Sequence, residues 1–147
     1  MREDATIREL RLPAHFERDF AVHFYWVVGG LLLLRSRRVP GVRSRVDVLF
    51  KGVLWMGLPA YLDPLHVAFA PAEALPFLLP VQVRRELHRH RVYRLRTSEA
   101  SYYVVASEIL SAEDEGEYFD ASALLPDFSP VATPEAPFAT LNRADAV

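Results

Sequence analysis

The sequence predicts a single domain, α+β or mainly β, built on an antiparallel sheet of five to seven strands with one or two short helices. Three observations carry that expectation. No long stretch holds apolar residues at helical spacing, which excludes a helix bundle and argues against βαβ winding. Val46, Val48 and Phe50 alternate with Asp47, Leu49 and Lys51, the period of a strand. The apolar run from Phe20 to Leu34 is broken by Gly29-Gly30, the pair that a two-residue hairpin turn demands.

That apolar run is the first element. A membrane helix needs about 20 mostly apolar residues. This run is shorter and contains His23 and two glycines, each costing a helix about 1 kcal/mol relative to alanine. A hairpin fits better, with strands over 20–28 and 31–37. On the first strand Phe20, Val22, Phe24, Trp26 and Val28 form the expected core face. Before it, residues 1–12 read as a short edge element or arm that stops at Pro13.

After the hairpin, RSRRVPGVRSR reads as a basic loop with a Pro40-Gly41 turn. The strand that follows is interrupted at Gly52, which suggests a bulge or a close backbone approach, and it resumes through Met56. LHVAFA (65–70) is another strand. PAEALPFLLP (71–80) holds a short helical turn starting at Pro71. VQVRRELHRHR (81–91) fits more than one conformation; as a helix it sets Val81, Arg84, Arg85 and His88 on nearby turns. HRVYRLRT and ASYYVVASEIL form a second hairpin, and SAEDEGEYFD reads as an acidic loop. The expected domain spans 1–128. Residues 129–147, with three prolines and no apolar period, read as a tail.

The 147 residues suit one domain with a core that needs no covalent staples. The absence of cysteine excludes disulfides, thiolate metal sites and cysteine nucleophiles, and it fits a cytoplasmic location. The charged N-terminus has no secretory apolar region. Net charge is −2, and 16 of the 17 basic residues are arginine, a bias that fits a GC-rich genome before it argues for anion recognition.

No motif fixes a chemistry. No glycine-rich phosphate loop or nucleophile elbow is present. His88 and His90 would share a face if extended, with His66 or Asp63 as the third ligand, but the flanking arginines oppose a divalent cation, so no metal and no cofactor are expected. His23 reads as a half-buried histidine rather than a base. Asp47 and Glu108 would support acid–base work only if the fold turned them inward together. An aromatic pocket of Phe24, Tyr25, Trp26, Trp55 and Tyr103 is the route to a small ligand or an enzyme, against the plainer reading that these rings build the core.

Segregated charge is the unusual feature. The span 35–51 holds six basic residues and one acid; 84–96 holds six basic residues and one acid; 99–120 holds seven acids and no base. The candidate binding residues are therefore Arg35, Arg37, Arg38, Arg43, Arg45, Arg84, Arg85, Arg89 and Arg91. The plainer reading is that a hairpin over 91–111 sets opposite charges side by side. SRVDVLFKGVLWMGLP taken with SYYVVASEIL resembles small bacterial proteins without an active site, toxin-neutralising immunity proteins among them, and no site residue is carried over from that resemblance. The expected function is a non-catalytic bacterial protein that binds a macromolecular partner, a protein first, in an immunity- or antitoxin-like role. The alternatives are a nucleic-acid or phosphate-binding module and a small-ligand protein or enzyme. No membrane insertion is expected.

Overall fold

The computed structural model describes residues 6–37 and 40–125. The chain is mainly β and antiparallel throughout, with one short α-helix, as the alternation predicts. Eleven strands are formed among the described residues: β1 (Thr6–Glu9), β2 (Ala14–Phe16), β3 (Phe20–Trp26), β4 (Leu31–Ser36), β5 (Arg45–Lys51), β6 (Trp55–Gly57), β7 (Tyr61–Leu62), β8 (Leu65–Phe69), β9 (Arg91–Arg96), β10 (Ser101–Ala106) and β11 (Glu108–Asp114). Helix α1 spans Val81–Glu86 and runs into a 3-10 turn at Leu87–Arg89; a second 3-10 turn occupies Ala72–Ala74. The strands divide between a six-stranded sheet, β1-β11-β5-β4-β3-β7, and a five-stranded sheet, β2-β8-β9-β10-β6.

The two sheets pack face to face. Leu32, Leu34, Val46, Val48, Phe50 and Ile109 from the first meet Leu65, Val67, Tyr93, Leu95, Val104 and Ala106 from the second in one buried cluster. One corner joins the sheets. β5 leaves the first sheet at Gly52 and continues as β6 in the second; β10 leaves the second at Ser107 and continues as β11 in the first. Ser107 N–H donates to Lys51 O (2.9 Å) and Leu54 N–H to Val105 O (2.8 Å), so the crossing is one bent two-stranded ribbon. Gly52 takes φ +63° there, and a β-carbon on it would stand 2.2 Å from Ser107 Oγ. This is the close approach expected at Gly52. The crossing also explains why ASYYVVASEIL is two strands: Ile109 reaches the same core as Val104 and Ala106 from the other sheet.

VVGGLLLL is a hairpin turn and its return strand. Trp26 pairs with Leu31, so the turn is four residues long, with Gly29 and Gly30 at φ 84° and 60°. The expected core face of β3 is corrected by a β-bulge at His23. Val22 pairs with Leu34, but Phe24 pairs with Leu33, one residue out of step. Phe20 and Val22 stay in the core; Phe24 and Trp26 turn to the opposite face, and Val28 is exposed at the tip. The acidic loop begins later than expected, because Ser111–Asp114 continue β11 against β5. Phe128 and the 129–147 tail lie outside the described residues. No helix among the described residues is long and apolar enough to cross a membrane.

Each sheet is covered on its outer face. Segment 115–125 crosses the outer face of the six-stranded sheet. Residues 70–87, including α1, cover one end of the five-stranded sheet, where Leu79 and Val83 pack on Val92, Tyr103 and Val105.

Candidate functional site

The register of β4, β5 and β11 sets a charged row on the outer face of the six-stranded sheet. Arg35 pairs with Asp47 across β4–β5, and Arg45 with Asp114 across β5–β11. Both guanidinium groups are fully buried. Arg35 donates from Nε and Nη2 to the two oxygens of Asp47 (2.7 and 2.9 Å). Arg45 grips Asp114 the same way (2.7 and 3.3 Å). The remaining donors go to backbone. Arg35 donates to the carbonyls of Tyr118 and Asp120. Arg45 donates to those of Glu117, Asp120 and Ala121 (2.6, 3.0 and 2.7 Å). Two buried arginines thus tie down one strap of chain, each charge neutralised bidentately by a carboxylate. Among the described residues no buried side-chain polar atom lacks a partner.

His23 sits at the margin of this network. Arg35 Nη1 donates to His23 Nε2 at 3.4 Å, so that nitrogen carries the lone pair. Burial first, and then the Arg35 charge, hold the imidazole below its ordinary pKa. Tyr118 stacks edge-on against it at 5.3 Å, and burial pushes that phenol up.

The cover on the five-stranded sheet has the opposite character. Helical spacing sends Val83 and Leu87 inward against that sheet. Arg84 and Arg85 point outward, and Arg89 follows on the 3-10 turn. All three are exposed and have no acidic partner among the described residues. Phe77, Leu78 and Val81, on the same segment, are exposed as well, Leu78 to 77%. Beside this ridge lies an open cleft of about 300 Å³, lined by Phe69, Ala70, Ala72, Leu87, His90, Arg91 and Val92. Arg91 lies over the Phe69 ring at 5.1 Å. His90 Nδ1 donates to Glu86 O at 2.7 Å, which leaves Nε2 as the free nitrogen.

The nine arginines singled out from the sequence therefore do not form one patch. Arg35 and Arg45 are withdrawn into the fold by their carboxylates. Arg37 is exposed but paired with Asp19 and laid over Tyr61 (4.9 Å). Arg43 is exposed in the loop between β4 and β5, and Arg38 lies outside the described residues. Arg84, Arg85 and Arg89 follow one another on the exposed segment of α1 and its 3-10 turn, and Arg91 opens β9 directly after it. The plainer reading, neutralisation within a 91–111 hairpin, also needs correction: β9 sets Arg91, Arg94 and Arg96 opposite Ala106, Tyr103 and Ser101. The acids neutralise β5 instead, Asp114 on Arg45 and Glu108 near Lys51 (3.8 Å).

Asp47 and Glu108 are separated by four register positions and each has its own cation. Phe24, Tyr25 and Trp26 belong to one sheet, and Trp55 and Tyr103 to the other. His66 lies across the sheet from His88 and His90, in a different cluster: its ring meets His15 edge-on at 4.4 Å, Arg96 donates to Nδ1 (3.4 Å), and Nε2 donates to Glu17 (3.2 Å). The residues missed by sequence reasoning are those of the strap, Tyr118 and Phe119. Phe119 is 76% exposed on a segment held by five arginine–carbonyl bonds. The signal available was an aromatic pair inside an acidic run.

The fold defines a two-sheet antiparallel β protein with an arginine-bearing cover. The chain matches no protein-family model, no curated protein and no solved structure.

Proposed function

We propose that this is a non-catalytic protein that binds a macromolecular partner, an acidic protein, through the ridge of α1 and its 3-10 turn. One observation carries the reading: Arg84, Arg85 and Arg89 stand exposed and without acidic partners among the described residues, next to exposed Phe77, Leu78 and Val81. Arginine and aromatic side chains are the residues enriched at protein interfaces, and Phe77 supplies an exposed ring on this segment. The other conspicuous cations, Arg35 and Arg45, are consumed by the fold. An immunity- or antitoxin-like role in a bacterial cytoplasm is one form of this function.

A second reading is phosphate recognition, favoured by the same unpaired guanidinium groups. The test is capture from extract of the native host by the wild-type chain and by the Arg84→Glu/Arg85→Glu/Arg89→Glu variant, after their melting curves have been matched. The proposal expects a defined protein held by the wild type and lost by the variant. Equal capture by both overturns it. Capture of nucleic acid, falling steeply with salt, transfers the ridge to the second reading.

A further inference from the structure

The ridge has a complement on the opposite side of the same molecule. The strap presents the ring of Phe119, 76% exposed, in the run Glu115-Gly116-Glu117-Tyr118-Phe119-Asp120. Its acidic side chains are exposed. Its backbone is not free to collapse around the ring, because Arg35 and Arg45 fix the carbonyls of 117, 118, 120 and 121. A preordered loop loses little entropy on binding. On the other sheet, the cleft beside α1 offers an apolar wall of Ala70, Leu87 and Val92 and an aromatic ring, Phe69, capped by Arg91. At about 300 Å³ it has room for one aromatic ring, and the cations of the ridge flank it.

We infer that the Phe119 strap of one copy docks in the Phe69–Arg91 cleft of a second copy, with the strap acids facing the ridge arginines. This rests on the reading of the ridge as a binding surface and names its first ligand: an acidic-aromatic loop, here the chain's own. Geometry decides the symmetry. Strap and ridge cover outer faces of different sheets, on opposite sides of the sandwich. A two-fold pair cannot make both contacts at once, so the association is head-to-tail. Each copy uses one strap and one cleft.

Head-to-tail contact has a signature that sedimentation velocity reads directly on the purified chain. The wild type should show concentration-dependent growth beyond the monomer, with a Kd on the order of 10–1000 μM for one small contact, and the association should weaken between about 0.1 and 0.5 M salt as the charges are screened. Phe119→Ala, which leaves the ridge intact, and Arg84→Glu/Arg85→Glu, which leaves the strap intact, should each be monomeric. Mixed one to one, they should form a dimer and nothing larger, because one working strap meets one working cleft. A wild type that stays monomeric up to about 1 mM, association that survives both variants, or a mixture that stays monomeric overturns the inference. A monomeric wild type whose ridge still captures another protein refutes the self-contact alone; loss of both refutes the ridge as well.

Discussion

The strap face and the ridge face use the same residue in opposite ways. Arg35 and Arg45 are buried, bidentate and saturated; Arg84, Arg85 and Arg89 are exposed and unpaired among the described residues. The difference comes from the element beneath. On strands, cross-strand register carries a carboxylate to each arginine from twelve or 69 residues away in sequence. On a six-residue helix, neighbours lie three or four positions apart, and only Glu86 is close in sequence. Arginines clustered in sequence therefore become structural on a paired strand and remain available on a helical cover.

The comparison breaks most sharply at Asp47. Asp47→Ala leaves the Arg35 charge buried and uncompensated and should cost about 3–5 kcal/mol, seen as a large fall in the urea midpoint. Replacing both partners, Arg35→Met with Asp47→Leu, should return much of that loss, since an apolar pair avoids burying charge. The double variant still forfeits the strap carbonyls that Arg35 serves, so full recovery is not expected. If Asp47→Ala unfolds at the wild-type midpoint, the pair is no part of what holds this face.

Much of this architecture was legible in the sequence, and the reasons are particular. Alternation along 46–51 survives because β5 is the middle of its sheet, and Gly52 shows because a backbone corner leaves no room for a β-carbon. The bulge at His23 was not legible: one extra residue leaves no compositional trace, yet it moves Phe24 and Trp26 off the core face. The fate of Arg35 and Arg45 was hidden for a related reason. RSRRVPGVRSR reads as a basic loop until the β4–β5 register sets Arg35 against Asp47. Had the two hairpin arms been aligned through Leu34 and Val48, that match would have followed. Asp114 opposite Arg45 required the long crossing through the second sheet, which local patterns do not encode.

A smaller effect should separate the faces by pH. The folded state holds His23 below its ordinary pKa, through burial and then Arg35, so it favours the neutral ring. The unfolded chain takes up that proton near pH 6.5, and stability contributed above that value is lost as pH falls toward the folded pKa. His23→Gln retains an acceptor for Arg35 without the titration. Its urea midpoint should fall less between pH 7 and pH 5 than that of the wild type; equal falls would show that His23 is not coupled to the strap network.

The smallest stability effect belongs to the ridge. Arg84→Glu, Arg85→Glu and Arg89→Glu should each move unfolding by no more than about 0.5 kcal/mol, because none is buried or ion-paired among the described residues. A single ridge substitution that destabilises the fold strongly would place that arginine in the structural class with Arg35.

The most direct test sets one member of each class side by side in urea denaturation: Arg45→Met against the triple Arg84→Glu/Arg85→Glu/Arg89→Glu variant. Arg45→Met removes the partner of Asp114 and the donors to three strap carbonyls. The account predicts a clear fall in midpoint for Arg45→Met and a midpoint close to the wild type for the triple variant. An unchanged Arg45→Met together with an unstable triple variant would contradict the division between arginines that hold this fold and arginines that it offers to a partner.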